Sequence, residues 1–146
     1  MRPPIGGAAL ACLGLVTAAA ACNFNDPTAE TIAWETQLVA AISHPGLEGQ
    51  AAVVSQLSGT DAGIGILGAE PDAMHTWRVR LSTCAAPGEA IGPQSDYPEL
   101  VVDEGRDASA EAHLGPRLTR DSTYHVEVRQ SATDTSRIAC GDLQLQ

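Results

Sequence analysis

The chain has 146 residues but no lysine, and aromatic residues make up only 3% of it. All eight basic side chains are arginine, and 18 acidic side chains outnumber them to give a formal net charge of −10. This balance argues against a general nucleic-acid binder and against a polybasic membrane-surface domain, because both need a basic face. With so few aromatic side chains, the core of a single domain of this length must come from alanine, valine, isoleucine and leucine.

Common catalytic and ligand-binding motifs are also missing from the sequence. It contains no G-x-S-x-G nucleophile motif, no P-loop and no G-x-G-x-x-G dinucleotide motif. No histidine pair has the spacing of a zinc motif, and no D-x-D-x-D-G calcium loop is present. Gly63-Ile64-Gly65 lies in a predicted strand, so we interpret it as a bulge or a site of close packing rather than as a phosphate-binding loop.

The N-terminal residues follow the order of a secretory signal. A charged start at Arg2 precedes an apolar run over Ile5–Val16, and small residues follow over Thr17–Ala21. The apolar run is too short and too rich in glycine and alanine to predict a transmembrane helix. We therefore expect export, with residues 1–22 acting as a signal peptide.

Cys22 ends this signal and leaves two alternatives for the start of the mature chain. The residues before it resemble the lipobox of bacterial lipoproteins, in which the cysteine becomes lipid-modified and is the first mature residue. That resemblance implies a lipid anchor at Cys22 in a membrane of the bacterial cell envelope. The alternative is ordinary cleavage within Ala18–Ala21, which leaves a free thiol on a periplasmic or secreted protein. Residues 23–33, which are polar and include Pro27, are expected to form a tether, and residues 34–146 the folded domain.

The cysteine count predicts one disulfide in the exported domain. Cys12 is removed with the signal and Cys22 is the expected anchor, so Cys84 and Cys140 remain as a single pair. Exported proteins fold in an oxidising compartment, where such a pair forms a disulfide. Closing a loop of this length stabilises a fold by about 4 kcal/mol in the chain-entropy model.

From Ile32 onward, short stretches of alternating apolar and polar residues predict β-strands. In the first strand the residues that share the core-facing parity are Ile32, Trp34, Leu38, Ala40 and Ile42. The eight predicted strands begin near Ile32, Ala51, Ala62, Trp77, Leu100, Ala108, Tyr124 and Ile138. Turn signals separate them at the spacing typical of sandwiches and barrels. The sequence therefore predicts an all-β antiparallel barrel or sandwich of eight strands.

Two of the segments that connect the predicted strands can be predicted more specifically. The strands at Leu100–Asp103 and Ala108–Leu114 are expected to pair with each other around Glu104-Gly105. The stretch from Cys84 to about Glu99 is rich in proline and glycine, so we expect it to be a long irregular segment.

Three stretches resemble the copper/zinc superoxide dismutase family. His75–Arg80, followed by Cys84, is similar to the family strand H-G-[aromatic]-H-V-H and its half-cystine. Tyr124–Arg129 is similar to the late strand that ends in V-V-H. Ser136–Gly141 resembles the closing R-[LI]-A-C-G, in which the arginine guards the active site and the cysteine completes the disulfide. The resemblance spans about residues 34–145 and implies an eight-stranded Greek-key barrel.

The residues at the family's metal positions depart from the family pattern. The resemblance implies copper ligands at Arg78, Arg80 and Arg129, but an arginine stays protonated and offers no lone pair to a metal. The remaining copper ligand and the zinc ligands belong to the loop after the first half-cystine, and this sequence has no histidine between Cys84 and Asp107. We therefore predict a domain without copper or zinc that is not an enzyme and acts as a binding or structural module. The alternative is a divergent superoxide dismutase, or a copper- or zinc-binding protein, that uses ligands outside the motif.

Strand parity predicts which side chains lie where the resemblance implies copper. Arg78 and Arg80 face away from the core, as do His125, Glu127 and Arg129, on the solvent side of the sheet. With Arg137 nearby, the patch that we expect to bind a small anion or a carboxylate consists of Arg78, Arg80, Arg129 and Arg137. The alternative is structural: Glu127 pairs with a neighbouring arginine and Arg137 braces the disulfide. An envelope protein is the other partner considered.

Overall fold

The computed structural model describes residues 30–146. Of these residues 56% lie in strands and none lies in an α-helix, which confirms the all-β class. The predicted signal peptide, Cys22 and most of the predicted tether lie outside the described residues. In residues 30–146, no helix is long and apolar enough to cross a membrane.

Ten strands and one turn of 3₁₀ helix make up the regular structure between residues 30 and 146. The strands are β1 (Ile32–Ala40), β2 (Glu48–Gln56), β3 (Gly59–Leu67), β4 (Met74–Thr83), β5 (Ala86–Ala90), β6 (Leu100–Val101), β7 (Asp107–Leu114), β8 (Tyr124–Arg129), β9 (Arg137–Asp142) and β10 (Gln144–Leu145). The 3₁₀ turn covers Gln94–Asp96. β1 begins at Ile32, so the last two residues of the predicted tether are part of the folded domain.

Eight of these strands form one antiparallel sheet in the order β5-β4-β8-β9-β1-β2-β3-β7. The sheet is strongly curled into a half-barrel, and β6 and β10 pair with β4 and β1. Three neighbouring pairs, β9 with β1, β8 with β4 and β7 with β3, join strands that are far apart in sequence. Such non-local pairing is characteristic of Greek-key connections. The predicted antiparallel barrel or sandwich is confirmed. The prediction of an irregular segment after Cys84 is wrong for Ala86–Ala90, which form β5, and the strand predicted at Leu100 is only the short β6.

The core lies inside the curl and contains the alternating apolar residues that the sequence predicts. Trp34, Val53, Ile66, Trp77 and Val126 are all buried there. The two tryptophans each pack edge-to-face against a tyrosine, with ring centroids 5.7 Å and 5.1 Å apart. These large buried rings add apolar surface to a core whose other side chains are mostly small.

The first predicted strand extends too far, because its last predicted core residue, Ile42, is not in the core. Ile42 is fully exposed at 100%, whereas the same parity buries Ile32 at the start of the strand. β1 ends at Ala40 because the chain then turns, with the amide of His44 donating to the carbonyl of Ala41 over 2.9 Å. A residue inside a turn has left the sheet, so strand parity no longer applies to it.

The predicted pairing between the strands near Leu100 and Ala108 is also wrong. Leu100–Val101 pairs with Met74–His75 of β4, and β7 pairs along its whole length with β3. The chain does turn at Glu104-Gly105, where the amide of Arg106 donates to the carbonyl of Asp103 over 3.0 Å. The two strands separate on either side of this turn because each finds its partner elsewhere in the half-barrel.

Candidate functional site

β4 and β8 place the predicted arginines on the opposite face of the sheet from the core. In the register of the two strands, Arg78 lies opposite Glu127 and Arg80 lies opposite His125. Trp77 on the other face of β4 is completely buried in the core. The predicted side of the sheet is therefore correct for all four polar residues.

The exposure predicted for this face is wrong. The Glu127 side chain is only 4% exposed and His125 is completely buried. Two neighbours account for this burial: the arginines that pair with Glu127, and residues 84–99, which we call the covering segment and which begin with β5 at the edge of the sheet beside β4. Gly88 and Gln94 of this segment accept hydrogen bonds from Arg80 and Arg78. β8 is thus buried on both faces, which alternation in the sequence did not predict.

Trp77 of β4 and Tyr97 of the covering segment hold this segment against β4. The indole Nε1 of Trp77 donates to the carbonyl of Pro98 over 2.8 Å, and the hydroxyl of Tyr97 donates to the carbonyl of Ile91 over 2.5 Å. The same hydroxyl accepts from the amide of Val79 over 3.3 Å. These bonds tie the second half of the covering segment to β4, to which the first half is already joined as β5.

Burial raises the pKa of Tyr97 to about 12, and this effect outweighs the hydrogen bond from Val79 and the nearby charge of Arg78, which both lower it. The carboxylate of Asp96 adds a smaller upward contribution. The hydroxyl therefore remains protonated at physiological pH and can act as a hydrogen-bond donor that anchors the segment.

Gly88 is the one position in the covering segment where the absence of a side chain is required by a close approach. A Cβ atom built there would lie 2.9 Å from the carbonyl oxygen of Leu81. The close contact lets the Gly88 carbonyl accept from Nε and Nη2 of Arg80, at 3.0 Å and 2.6 Å. The Arg80 guanidinium is held between this carbonyl and the carboxylate of Glu127.

Glu127 receives two guanidinium groups on one carboxylate oxygen. Its Oε1 lies 3.2 Å from Nη1 of Arg80, 2.8 Å from Nε of Arg129 and 2.7 Å from Nη2 of Arg129. The arginine side chains are 18% and 24% exposed, so both ion pairs are largely shielded from water. With Arg78 opposite Glu127 in register, these four residues form what we call the arginine–glutamate cluster: Arg78, Arg80, Glu127 and Arg129.

Arg137 does not join this cluster. It lies opposite Arg129 in the register of β8 and β9, but its Nη1 donates to the carbonyl of Cys84 over 2.5 Å and lies 3.7 Å from the sulfur of Cys140. The predicted patch of four arginines is therefore divided into three at the cluster and one at the disulfide. The geometry of Arg137 is that of the structural alternative, a brace for the cystine.

The predicted disulfide between Cys84 and Cys140 is confirmed, with a Cα–Cα distance of 6.0 Å across a sequence separation of 56 residues. It joins the start of the covering segment to β9. The carboxylate of Asp142 also accepts from the amide of Cys84 over 2.7 Å. Sequence reasoning did not identify Asp142, Gln94 or Tyr97 as contributors, since nothing in the irregular segment indicates which residues contact the sheet.

His125 has one nitrogen without a hydrogen-bond partner. Its Nδ1 lies 3.0 Å from the carbonyl of Ser82, and since a carbonyl only accepts, Nδ1 carries the proton. Nε2 is buried with no hydrogen-bond partner among the described residues. His75 is also buried, and its Nδ1 lies 2.8 Å from the carbonyl of Gln130, so each histidine is engaged with backbone at the end of a strand.

The donor atoms at this face do not fit copper or zinc. The resemblance implies copper ligands at Arg78, Arg80 and Arg129, and guanidinium groups offer a metal neither a lone pair nor a negative charge. Between residues 30 and 146 no group of three or more histidine, cysteine, aspartate or glutamate side chains is arranged to hold a metal ion. One imidazole nitrogen on His125 is not a site for either metal.

A second concave surface lies on the outer face of β2, β3 and β7. Its floor is formed by Ala52, Gly63 and Gly65, with Glu35 and Glu111 at the sides. The prediction that the two glycines mark a bulge or close packing is wrong. Their strand pairs without interruption, and a Cβ atom added at either glycine would meet no atom within 4 Å. The glycines simply leave the surface shallow and open.

Neither a known protein-family model nor any curated protein matches this chain. What the chain does must therefore be inferred from the geometry of the arginine–glutamate cluster and from the motifs in the sequence.

Proposed function

We propose that this chain is an exported, lipid-anchored domain of superoxide dismutase-like type that has lost its copper and zinc ligands and acts as a non-catalytic binding or structural module. The observation that carries the proposal is the convergence of Arg80 and Arg129 on the buried carboxylate of Glu127. Both arginines occupy positions where the family resemblance implies copper ligands. An ion-paired cluster with Glu127 thus takes up the space at this face.

Charge supports the same proposal. Three guanidinium groups and one carboxylate give the arginine–glutamate cluster a charge of +2, which repels a metal cation. The ion pairs also leave the Glu127 oxygen Oε1 already occupied by three N–H donors. A metal that displaced the arginines from Oε1 would separate two largely buried cations from their counter-charge.

The arrangement of the three motifs is consistent with the resemblance. His75–Arg80 and Tyr124–Arg129 are adjacent strands, and the half-cystines of the first and third motifs are joined with Arg137 beside them. Shared fold does not imply shared activity, so the altered ligand positions decide the function.

Export and anchoring are supported by the sequence and by the cystine. A structural disulfide persists in an oxidising compartment, which is where a secretory signal would deliver the chain. The lipobox-like residues before Cys22 support attachment to a membrane of the cell envelope.

The test is the metal content of the exported chain, purified in its oxidised form, incubated with copper and zinc and then freed of unbound metal. We expect elemental analysis to give far less than one equivalent of either metal, and superoxide dismutase activity at the level of buffer. One equivalent of bound copper would overturn the proposal in favour of a divergent dismutase. One equivalent of either metal without turnover would instead indicate a metal carrier.

A further inference from the structure

We propose that the arginine–glutamate cluster binds one small oxyanion, held mainly by the guanidinium of Arg78 and assisted by Arg129. The inference depends on the proposed function, because it identifies the ligand class of a non-catalytic binding module. It also narrows the predicted patch, since Arg137 is engaged at the disulfide and does not contribute.

The ion pairs of the cluster do not balance its positive charge. Glu127 neutralises one of three guanidinium groups, and within residues 30–146 Arg78 forms no ion pair. Glu89 and Asp96 of the covering segment pair with none of these arginines in the described part of the chain. Partly buried charge without a counter-charge is unfavourable, so binding of an anion stabilises this arrangement.

Hydrogen-bond donors remain available where that anion would lie. Arg78 uses Nε to donate to the side-chain oxygen of Gln94, and neither of its Nη atoms has an acceptor among the described residues. Arg129 uses Nε and Nη2 on Glu127, which leaves its Nη1 without an acceptor in the same range. The paired N–H groups of a guanidinium match two oxygens of a phosphate or a carboxylate.

The guanidinium groups are also held in position before any ligand arrives. Arg78 is fixed by Gln94, Arg80 by the carbonyl of Gly88, and Arg129 by Glu127. A preorganised site loses little side-chain entropy on binding, which favours even a small ligand with few contacts.

The overall charge restricts the ligand to a small one. At physiological ionic strength the screening length is about 8 Å, so a small anion senses mainly the local charge of the cluster. A polyanion such as nucleic acid would extend beyond that distance over a protein with a net charge of −10. We therefore infer a compact oxyanion, either tetrahedral like phosphate or planar like a carboxylate.

The experiment is calorimetric titration of the exported chain, purified in detergent, with inorganic phosphate and separately with acetate, at constant ionic strength set by chloride. We expect saturable binding of at least one probe at one site per chain. Stronger binding of phosphate would identify a tetrahedral ligand, and stronger binding of acetate a carboxylate. The absence of saturable binding of either probe would overturn the site.

Variants locate the site. R78Q should weaken binding by about tenfold or more, and R78K, which keeps the charge but loses the paired donors, should weaken it less. The matched control is R117Q, which removes the same charge from an exposed position outside the cluster and should leave binding unchanged. Equal weakening by R78Q and R117Q would overturn the site, because it would indicate only general attraction of anions.

Glu127 provides a second variant with the opposite expected effect. E127Q removes the carboxylate that competes for Arg129, so binding of the same probe should tighten. Weaker binding by E127Q, with native circular dichroism retained, would contradict the proposed geometry. Failure of the two proposals is distinguishable: one equivalent of copper overturns the metal-free module, whereas a metal-free chain that binds neither anion overturns only this site.

Discussion

Glu127 is the residue on which the contacts of two largely buried arginines depend. Its carboxylate is 4% exposed and receives both Arg80 and Arg129, so each of the three charges is shielded from water and satisfied by the others. Removing the carboxylate alone leaves two largely desolvated guanidinium groups without a counter-charge, although Arg80 keeps the Gly88 carbonyl as an acceptor. That situation costs more than the intact ion pairs contribute, because the desolvation of the arginines remains.

We therefore expect E127A to lower the free energy of unfolding by about 2–3 kcal/mol, below the full range for a buried pair since the arginines keep some exposure. Denaturant unfolding monitored by circular dichroism measures the change. The control is E111A on the exposed face of β7, where the loss should stay within about 0.5 kcal/mol. Equal effects of the two substitutions would show that Glu127 is not an essential ion-pair partner.

Tyr97 gives a prediction for alkaline pH. Burial raises the pKa of its hydroxyl from 10.0 to about 12, so the folded chain holds this proton more tightly than the unfolded chain does. The associated stability is complete below pH 10 and is lost as the pH rises toward 12. Ultraviolet titration of phenolate, as the difference between wild type and Y97F, should place the midpoint well above 10. A Tyr97 midpoint at or below 10 would contradict the buried, hydrogen-bonded position.

At the scale of elements, strand parity predicted the sides of the sheet but not what covers them. Arg78 and Arg80 lie opposite the core-facing Trp77 and Val79, as alternation requires. Burial of Glu127 could not be predicted, because its ion pair with Arg80 joins residues 47 positions apart and the sequence of the covering segment does not indicate which residues contact the sheet. The cystine was predictable for a different reason: only two of the four cysteines lie beyond the predicted signal peptide.

That cystine is one of several attachments of the covering segment. Replacing Cys84 and Cys140 together with serine should reduce the free energy of unfolding by roughly 4 kcal/mol or less in the chain-entropy model. Hydrogen exchange should increase most at the amides next to Cys84, while Tyr97 and Trp77 keep the far end of the segment attached. C22S, which leaves the cystine intact, is the control. An equal increase in hydrogen exchange at all amides of the covering segment would contradict the expectation that only the end next to Cys84 is released.

At the scale of the whole molecule, the sequence predicted the class of fold because eight stretches alternate with a period of two. It did not predict the strand order, since β9 with β1 and β7 with β3 are paired by long-range packing. The error at Leu100 has the same origin: a turn in the sequence suggests a local hairpin, while the curled sheet offers each strand a better partner. The candidate site shows the same limit. The sequence predicted which arginines lie near this face, but not that Arg137 would contact the cystine instead of the arginine–glutamate cluster.

Anchoring is a property of the whole exported chain. If Cys22 carries lipid, C22S should move the protein from the membrane fraction to the soluble fraction, and the mass of the wild-type chain should exceed that of its polypeptide by the attached lipid. One acyl chain attaches a protein to a membrane only marginally, whereas several acyl chains attach it stably. If the wild type is a lipoprotein, the move of C22S to the soluble fraction should therefore be nearly complete. An unmodified mass with cleavage within Ala18–Ala21 would instead indicate a periplasmic or secreted protein.

A crystal structure of the folded domain, grown with both copper and phosphate present and with anomalous data collected at the copper edge, would test both proposals at once. We expect an oxyanion within hydrogen-bond distance of Arg78, Glu127 still paired with Arg80 and Arg129, and no anomalous peak at this face. A copper peak beside Glu127 or His125, with the arginines displaced, would contradict this expectation.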